Sequence, residues 1–291
     1  MEYKLSELHK RALKEGWAVP HFNFSSLSQL NGVLDALKEM RAPAALGTSE
    51  GERDFIGLKQ AVYLIKSFRE AEGVPVFLNA DHSRSFETAK NAFDAGYDSI
   101  HIDLSREKYE DNIENTKMVV DYVKSNLGSE YVEVEGELGY LATESSKIYK
   151  EVVEIPEDSY TNPQQAKEFV ERTGVDRFAP AIGNLHGIAA NKPKIRFDLV
   201  EKLRELLPDI TLVLHGGSGI SDEDMRKLVK MGFNNIHIST ELRVAYTNAL
   251  RKELAAKPDE LAPYHYMDEA REAVKNKVVE KIMLFNAANR V

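Results

Sequence analysis

The chain has 291 residues, 43% hydrophobic and 29% charged, with a formal net charge of -9 and no cysteine. The missing thiols exclude disulfides, thiolate zinc sites, iron–sulfur clusters and cysteine nucleophiles, so a metal site must use His, Asp or Glu. The acidic excess is interspersed with basic residues and forms no basic block, which fits solubility and argues against a nucleic-acid partner.

Apolar spacing at Leu5, Leu8, Ala12 and Leu13 predicts a first helix ending at Gly16, with no apolar signal core before it. Residues 18–23 read as a strand ending in Asn23, residues 28–40 as a helix, and residues 43–49 as a strand ending in Ser49. A helix over 58–71 leads to a third strand over 74–82, which ends in Asp81-His82. The pattern repeats: helix 85–95, strand 98–103 ending in Asp103, helix 109–125, and strand 131–138 carrying Glu135 and Glu137. Residues 140–160 are polar and irregular, as expected of a mobile loop. Helix 163–173 follows, then strand 178–182 running into Gly183-Asn184-Leu185-His186-Gly187. Helix 198–207, strand 210–214, helix 225–231 and strand 235–239 complete the alternation, and two or more helices finish the chain.

Eight strand–helix units with apolar rather than alternating strands predict a sheet buried on both faces. The expected fold is a single-domain (β/α)₈ TIM barrel over residues 1–291 with extra C-terminal helices. No run of about eighteen apolar residues occurs, so no membrane association and a cytoplasmic location are expected.

Chemistry in this fold collects where the strands end. Three of eight histidines, His82, His186 and His215, fall at the ends of strands 3, 6 and 7. With carboxylates beside them and no thiols, they suit a zinc site with an open coordination position; a metal-free acid/base site is the alternative. Asp81 is expected to point away from His82 because strand side chains alternate. Its roles there are an acid/base group or a partner holding a ligand histidine. Two loops suit phosphate: Gly216-Gly217-Ser218 after strand 7, and Ser239-Thr240 opening the helix after strand 8. His21 and His101 lie inside strands and read as core; His9 and His265 read as packing or surface residues, and His237 adjoins the phosphate region.

The motifs Phe22-Asn23, Thr48-Ser49-Glu50-Gly51, Asp81-His82, Ile102-Asp103-Leu104-Ser105, Val134 to Gly139, Ala181 to Gly187, the His215 loop and Ser239-Thr240-Glu241-Leu242 occur in one order along the chain. In this the chain resembles the class II (zinc-dependent) fructose- and tagatose-bisphosphate aldolases. The resemblance implies zinc on His82, His186 and His215, with Asp103 and Glu137 around an alternative metal position. It implies Asp81 as the acid/base on the hydroxyl that becomes the aldehyde, and Glu144 as a mobile-loop group exchanging the proton on the carbon beside the ketone. Asn23, Ser49, Gly187, Gly216, Ser218, His237, Ser239 and Thr240 would contact substrate and its phosphate, with a monovalent cation (Na⁺ or K⁺) nearby. A homodimer or homotetramer is expected. The predicted reaction cleaves a ketose 1,6-bisphosphate to dihydroxyacetone phosphate and glyceraldehyde 3-phosphate.

The chain departs from that pattern in four places. His237 stands where the family usually has asparagine, and Ser239 where the fructose branch has aspartate. His101 replaces an apolar residue, and the loop after Gly139 lacks a glycine pair. These departures keep three other expectations in play: the same chemistry on a modified or deoxy sugar phosphate, a non-catalytic zinc- or sugar-phosphate-binding relative, and a metallohydrolase on the same barrel.

Overall fold

The computed structural model describes residues 3–126 and 132–291. Tyr131, expected to open the fifth strand, lies outside the described residues. Eight parallel strands close into a barrel in sequence order: β1 (Val19–Asn23), β2 (Ala44–Thr48), β3 (Val76–Ser83), β4 (Ser99–Ile102), β5 (Glu133–Leu138), β6 (Arg177–Pro180), β7 (Thr211–Leu214) and β8 (Phe233–Ile238). The ring is closed by β1 against β8, with His21 level with His237. Nearly every strand residue is buried, as expected of a sheet covered on both faces.

The helices are α1 (Leu5–Glu15), α2 (Leu27–Met40), α3 (Glu50–Ile56), α4 (Leu58–Glu72), α5 (Phe86–Ala95), α6 (Tyr109–Lys124), α7 (Pro163–Thr173), α8 (Phe197–Leu206), α9 (Asp222–Lys230), α10 (Thr240–Ala256), α11 (Pro263–Tyr266) and α12 (Asp268–Leu284). Their starts follow local chemistry. Ser26 accepts from Gln29 N–H, Asn162 from Gln164 and Gln165 N–H ahead of Pro163, and Ser221 from Asp224 N–H. Helix α3 was not expected from the sequence, because its seven residues carry too few apolar positions to show a period.

Helix α1 reaches across to the start of β5, where His9 Nδ1 meets Glu133 Oε2 at 2.8 Å. At the other side α12 is tied to α2 by Lys275–Glu39 at 2.7 Å, and to α10 by Lys281–Glu241 at 2.7 Å. Among the described residues, no helix is long and apolar enough to cross a membrane.

Two strand pairs among the described residues depart from regular register: β7–β8 between Leu212 and Val213, and β3–β4 beside the site. The β3–β4 register shifts between Ala80 and Ser83, and His82 adopts φ of +48°. A left-handed non-glycine residue inside a strand is strained and needs its surroundings to hold it. The bulge it makes re-aims side chains.

Candidate active site

The bulge overturns the expectation that Asp81 and His82 point apart. Both line the same cleft, with His82 Nε2 4.0 Å from Asp81 Oδ1. His82 Nδ1 is fixed by Asp103 Oδ2 at 2.8 Å, and its backbone N–H donates to His101 Nδ1 at 3.2 Å.

The three strand-end histidines converge. The His82 ring centre lies 5.1 Å from that of His186 and 4.6 Å from that of His215, and His186 and His215 are 6.1 Å apart. Asn184 links the last two loops: its Oδ1 accepts from Ile182 N–H at 2.8 Å, and its Nδ2 donates to the His215 carbonyl at 2.7 Å. His215 Nε2 meets Glu135 Oε1 at 2.7 Å. Burial pulls His186 and His215 down to about 3, which keeps both as neutral imidazoles, the form that binds metal.

His21 and His101 are buried as expected, yet they belong to the site rather than to an apolar core. The His101 ring lies 4.6 Å from both His82 and His215, and the His21 ring stacks on His237 at 3.5 Å. A strand-interior histidine facing the barrel lumen has the same sequence context as one facing the core, so spacing alone does not separate them.

Among the described residues, donor atoms lie within 4.8 Å of one another inside each of four groups: Asp81–His82–His101–His215, His82–Asp103–Glu137, His21–Asp81–His237 and Glu135–His215–His237. His186 belongs to none of these four among the described residues and approaches through its ring contact with His82. Among the described residues, Asp81 Oδ1, His101 Nε2 and Glu137 Oε2 are buried without a hydrogen-bond partner, the last two lying 3.4 Å apart. Orphaned nitrogen and carboxylate donors grouped this closely fit a divalent metal ion.

The carboxylates differ in character. Burial pushes Asp81 and Asp103 up, but neighbouring histidines outweigh it, so both carboxyls sit well below the usual range. Burial and the adjacent Asp103 instead raise Glu137. Burial opposes a charge on His82, but Asp81 and Asp103 prevail and raise it. Asp81 Oδ2 is held by Asn23 Nδ2 at 2.9 Å.

The inner cleft, about 40 Å³, is lined by Asn23, Ser49, Asp81, His82, Ser145, His186, Gly187, His215, Gly216, Ser218, His237, Ser239, Thr240 and Arg243. Both expected phosphate loops are therefore on its wall. At Gly216, φ is +61° and a Cβ would sit 2.2 Å from the Leu185 carbonyl oxygen, so only glycine allows this close approach. Ser218 Oγ accepts from Glu241 N–H at 3.2 Å. Ser239 is not a simple helix cap: its hydroxyl makes no cap bond to α10 and is buried without a partner among the described residues. Arg243, absent from the sequence expectations, pairs with buried Glu52. It stands one turn along α10 from Ser239, a spacing that puts both on one helix face.

An outer cavity of about 430 Å³ adjoins the cleft and shares Ser49, His82, Ser145 and His186 with it. Asp103, Glu137 and Glu144 line this outer space. Glu144 is exposed and pairs with Lys147, which lowers its pKa. The surrounding loop is anchored at Thr143, whose hydroxyl donates to the His186 carbonyl at 2.7 Å, and at Ser146, whose N–H donates to Thr240 Oγ1 at 3.2 Å.

A closed parallel barrel with grouped imidazole and carboxylate donors beside two glycine- and serine-bearing loops is the architecture of a metal-assisted barrel enzyme. Comparison with known proteins defines it further. Residues 3–290 match the model of the class-II fructose-bisphosphate aldolase family. The chain is 35% identical over 289 residues to a probable fructose-bisphosphate aldolase of Bacillus subtilis, covering 98% of each chain. It is equally identical to the fructose-bisphosphate aldolase of Geobacillus stearothermophilus, over 98% of this chain and 97% of that one. Its fold superposes on the crystal structure of the YdjI aldolase from Escherichia coli K12 with a TM-score of 0.84 and 33% identity, over 100% and 99% of the two chains. The chain belongs to the class II fructose-bisphosphate aldolase family. It is accordingly an aldolase, a carbon–carbon lyase of a metal-dependent family acting on phosphorylated sugars.

Proposed function

We propose that the protein is a zinc-dependent aldolase reversibly cleaving fructose or tagatose 1,6-bisphosphate to dihydroxyacetone phosphate and glyceraldehyde 3-phosphate. The observation that carries this reading is the convergence of His82, His186 and His215 beside Asp81, on a cleft whose wall includes the unpartnered Ser239 hydroxyl. His82, His186 and His215 hold the ion, with Asp103 and Glu137 flanking a second position for it. Zinc bound there supplies Lewis-acid stabilisation of the negative charge that carbon–carbon cleavage leaves on the ketone half.

The protein's own residues do the rest. Gly187, Gly216, Ser218, Ser239 and Thr240 receive the ketone-side phosphate, with Na⁺ or K⁺ beside it, and fix the sugar so that binding energy is spent on orientation. Asn23 holds Asp81 by its Oδ2, and Asp81 takes the proton from the hydroxyl that becomes the aldehyde. Glu144, on the loop over the outer cavity, returns a proton to the carbon beside the ketone. Ser49 lies between cleft and outer cavity and contacts the distal half of the substrate. The whole chain acts as one catalytic domain, as a homodimer or homotetramer in the cytoplasm.

Triose phosphate release from both bisphosphates by the zinc-loaded protein tests the reading. Release from either supports it and ranks the epimers. A second reading, the same cleavage on a modified or deoxy ketose phosphate, is favoured by His237 on the cleft wall. Cleavage of such a sugar with neither bisphosphate turned over would select it.

A further inference from the structure

Arg177 is fully buried inside the barrel. Its Nη2 lies 3.0 Å from Asn79 Oδ1 and 3.2 Å from Glu135 Oε2, and its Nη1 lies 3.3 Å from Asn235 Oδ1. A guanidinium only donates, so it dictates which way both amides face. Two further bonds agree: Ser99 Oγ donates to Asn79 Oδ1 at 2.6 Å, and Asn235 Nδ2 donates to the Val19 carbonyl at 3.1 Å.

The amides in turn fix two histidines. Asn79 Nδ2 faces His21 Nε2 at 3.0 Å, so this nitrogen accepts and a neutral His21 carries its proton on Nδ1. Asn235 Oδ1 faces His237 Nε2 at 3.2 Å, so this nitrogen donates and a neutral His237 has a bare Nδ1. The two rings stack at 3.5 Å with 5° between their planes. Gly47 makes the room, since a Cβ there would lie 2.2 Å from His21 Cε1.

The bare His237 Nδ1 is 3.4 Å from Asp81 Oδ1, and both are buried atoms without a hydrogen-bond partner among the described residues. Two lone-pair-bearing atoms thus face each other across a gap that becomes favourable once Asp81 gains a proton. Asp81 Oδ2 is already occupied by Asn23.

We propose that His237, locked in one tautomer by Asn235 and braced by His21, is a positioning residue that makes Asp81 an effective proton acceptor. This rests on the reading of Asp81 as the acid/base group. The substrate O–H bond breaks, an O–H bond forms on Asp81, and the new carboxylic acid donates to His237 Nδ1. In the synthetic direction the proton returns to the aldehyde oxygen. The His237 bond exists only after transfer, so it stabilises the reacting state more than the starting one.

The test compares His237→Phe, which keeps a stacking ring but removes Nδ1, with His237→Asn, whose side-chain oxygen falls near the Nδ1 position. With zinc content matched to the parent, His237→Phe lowers kcat by about 2- to 10-fold, the worth of one hydrogen bond between neutral groups. KM changes little, and His237→Asn recovers most of kcat. Unchanged kcat in the Phe variant, or equal loss in both, overturns the proposal. Nitrogen-15 NMR reads the lock without turnover: the parent shows His237 protonated on Nε2, and Asn235→Leu abolishes that preference. A parent His237 protonated on Nδ1 overturns the proposal. No triose release by the zinc-loaded parent would strike at the substrate assignment rather than at this network.

Discussion

Asp81 and His82 are consecutive residues of one strand, yet His82 Nε2 lies 4.0 Å from Asp81 Oδ1. A regular strand would send them to opposite faces of the sheet. The bulge at His82 brings the proposed ligand imidazole and the proposed acid/base carboxylate to one cleft, and the Asp103 hydrogen bond at 2.8 Å holds the strained residue there. Position 82 therefore has to serve geometry as well as ligation. His82→Ala removes a proposed ligand and the Asp103 anchor together, so zinc content and triose release fall to background. Asp103→Asn keeps a partner for His82 but loses its charge, and about 10- to 100-fold weaker zinc binding is expected by equilibrium dialysis.

Gly216→Ala reports on the proposed phosphate loop. The added methyl meets the Leu185 carbonyl oxygen at 2.2 Å in a left-handed backbone, so the loop has to shift. A rise in KM of roughly tenfold, the worth of about 1.4 kcal/mol of lost ground-state binding, is expected with zinc retained. Steady-state kinetics alongside metal analysis separate this from loss of the ion.

Glu144→Gln leaves the inner cleft and its ligands untouched, because Glu144 lies only on the outer cavity and is exposed. With Glu144 in its proposed proton-transfer role, its loss slows the affected step by about 10²-fold or more. The enzyme-catalysed exchange of the carbon-bound proton of dihydroxyacetone phosphate, followed by NMR in deuterated water, should fall by that factor while zinc content stays at the parent value.

The His9–Glu133 pair supplies a pH signature away from the site. Burial pushes Glu133 up, but His9 outweighs it and the carboxyl is lowered. A depressed folded-state value means the stabilisation is complete above the ordinary carboxylate range and is lost as pH falls through the depressed value. His9→Ala strands a buried carboxylate and should cost about 3–5 kcal/mol by denaturant unfolding at neutral pH. The deficit shrinks in acid, as Glu133 protonates. A deficit that is constant with pH would contradict this assignment.

The barrel was legible because its eight apolar runs are punctuated by polar or glycine-bearing turns, and the convergence of His82, His186 and His215 because each ends such a run or lies in the loop just after it. What stayed hidden shares a physical cause. His21 and His101 face the barrel lumen from strand interiors and Arg177 from the first position of β6, where sequence context does not separate a polar network from a packed core. The alternation that placed Asp81 away from His82 assumes a regular strand, and a bulge depends on pairing with β4 rather than on β3 alone. Arg243 was missed because its partner Glu52 is 191 residues away.

The central claim is that the convergent histidines hold a zinc ion required for aldol cleavage. The most direct measurement is titration of zinc into chelator-stripped protein while triose phosphate release from fructose 1,6-bisphosphate and tagatose 1,6-bisphosphate is recorded, with His215→Ala run in parallel. The account predicts activity that is absent without metal and rises with occupancy of the site. In His215→Ala, both high-affinity zinc uptake and turnover should be lost. Full turnover by the stripped protein, or by His215→Ala without bound zinc, would contradict it.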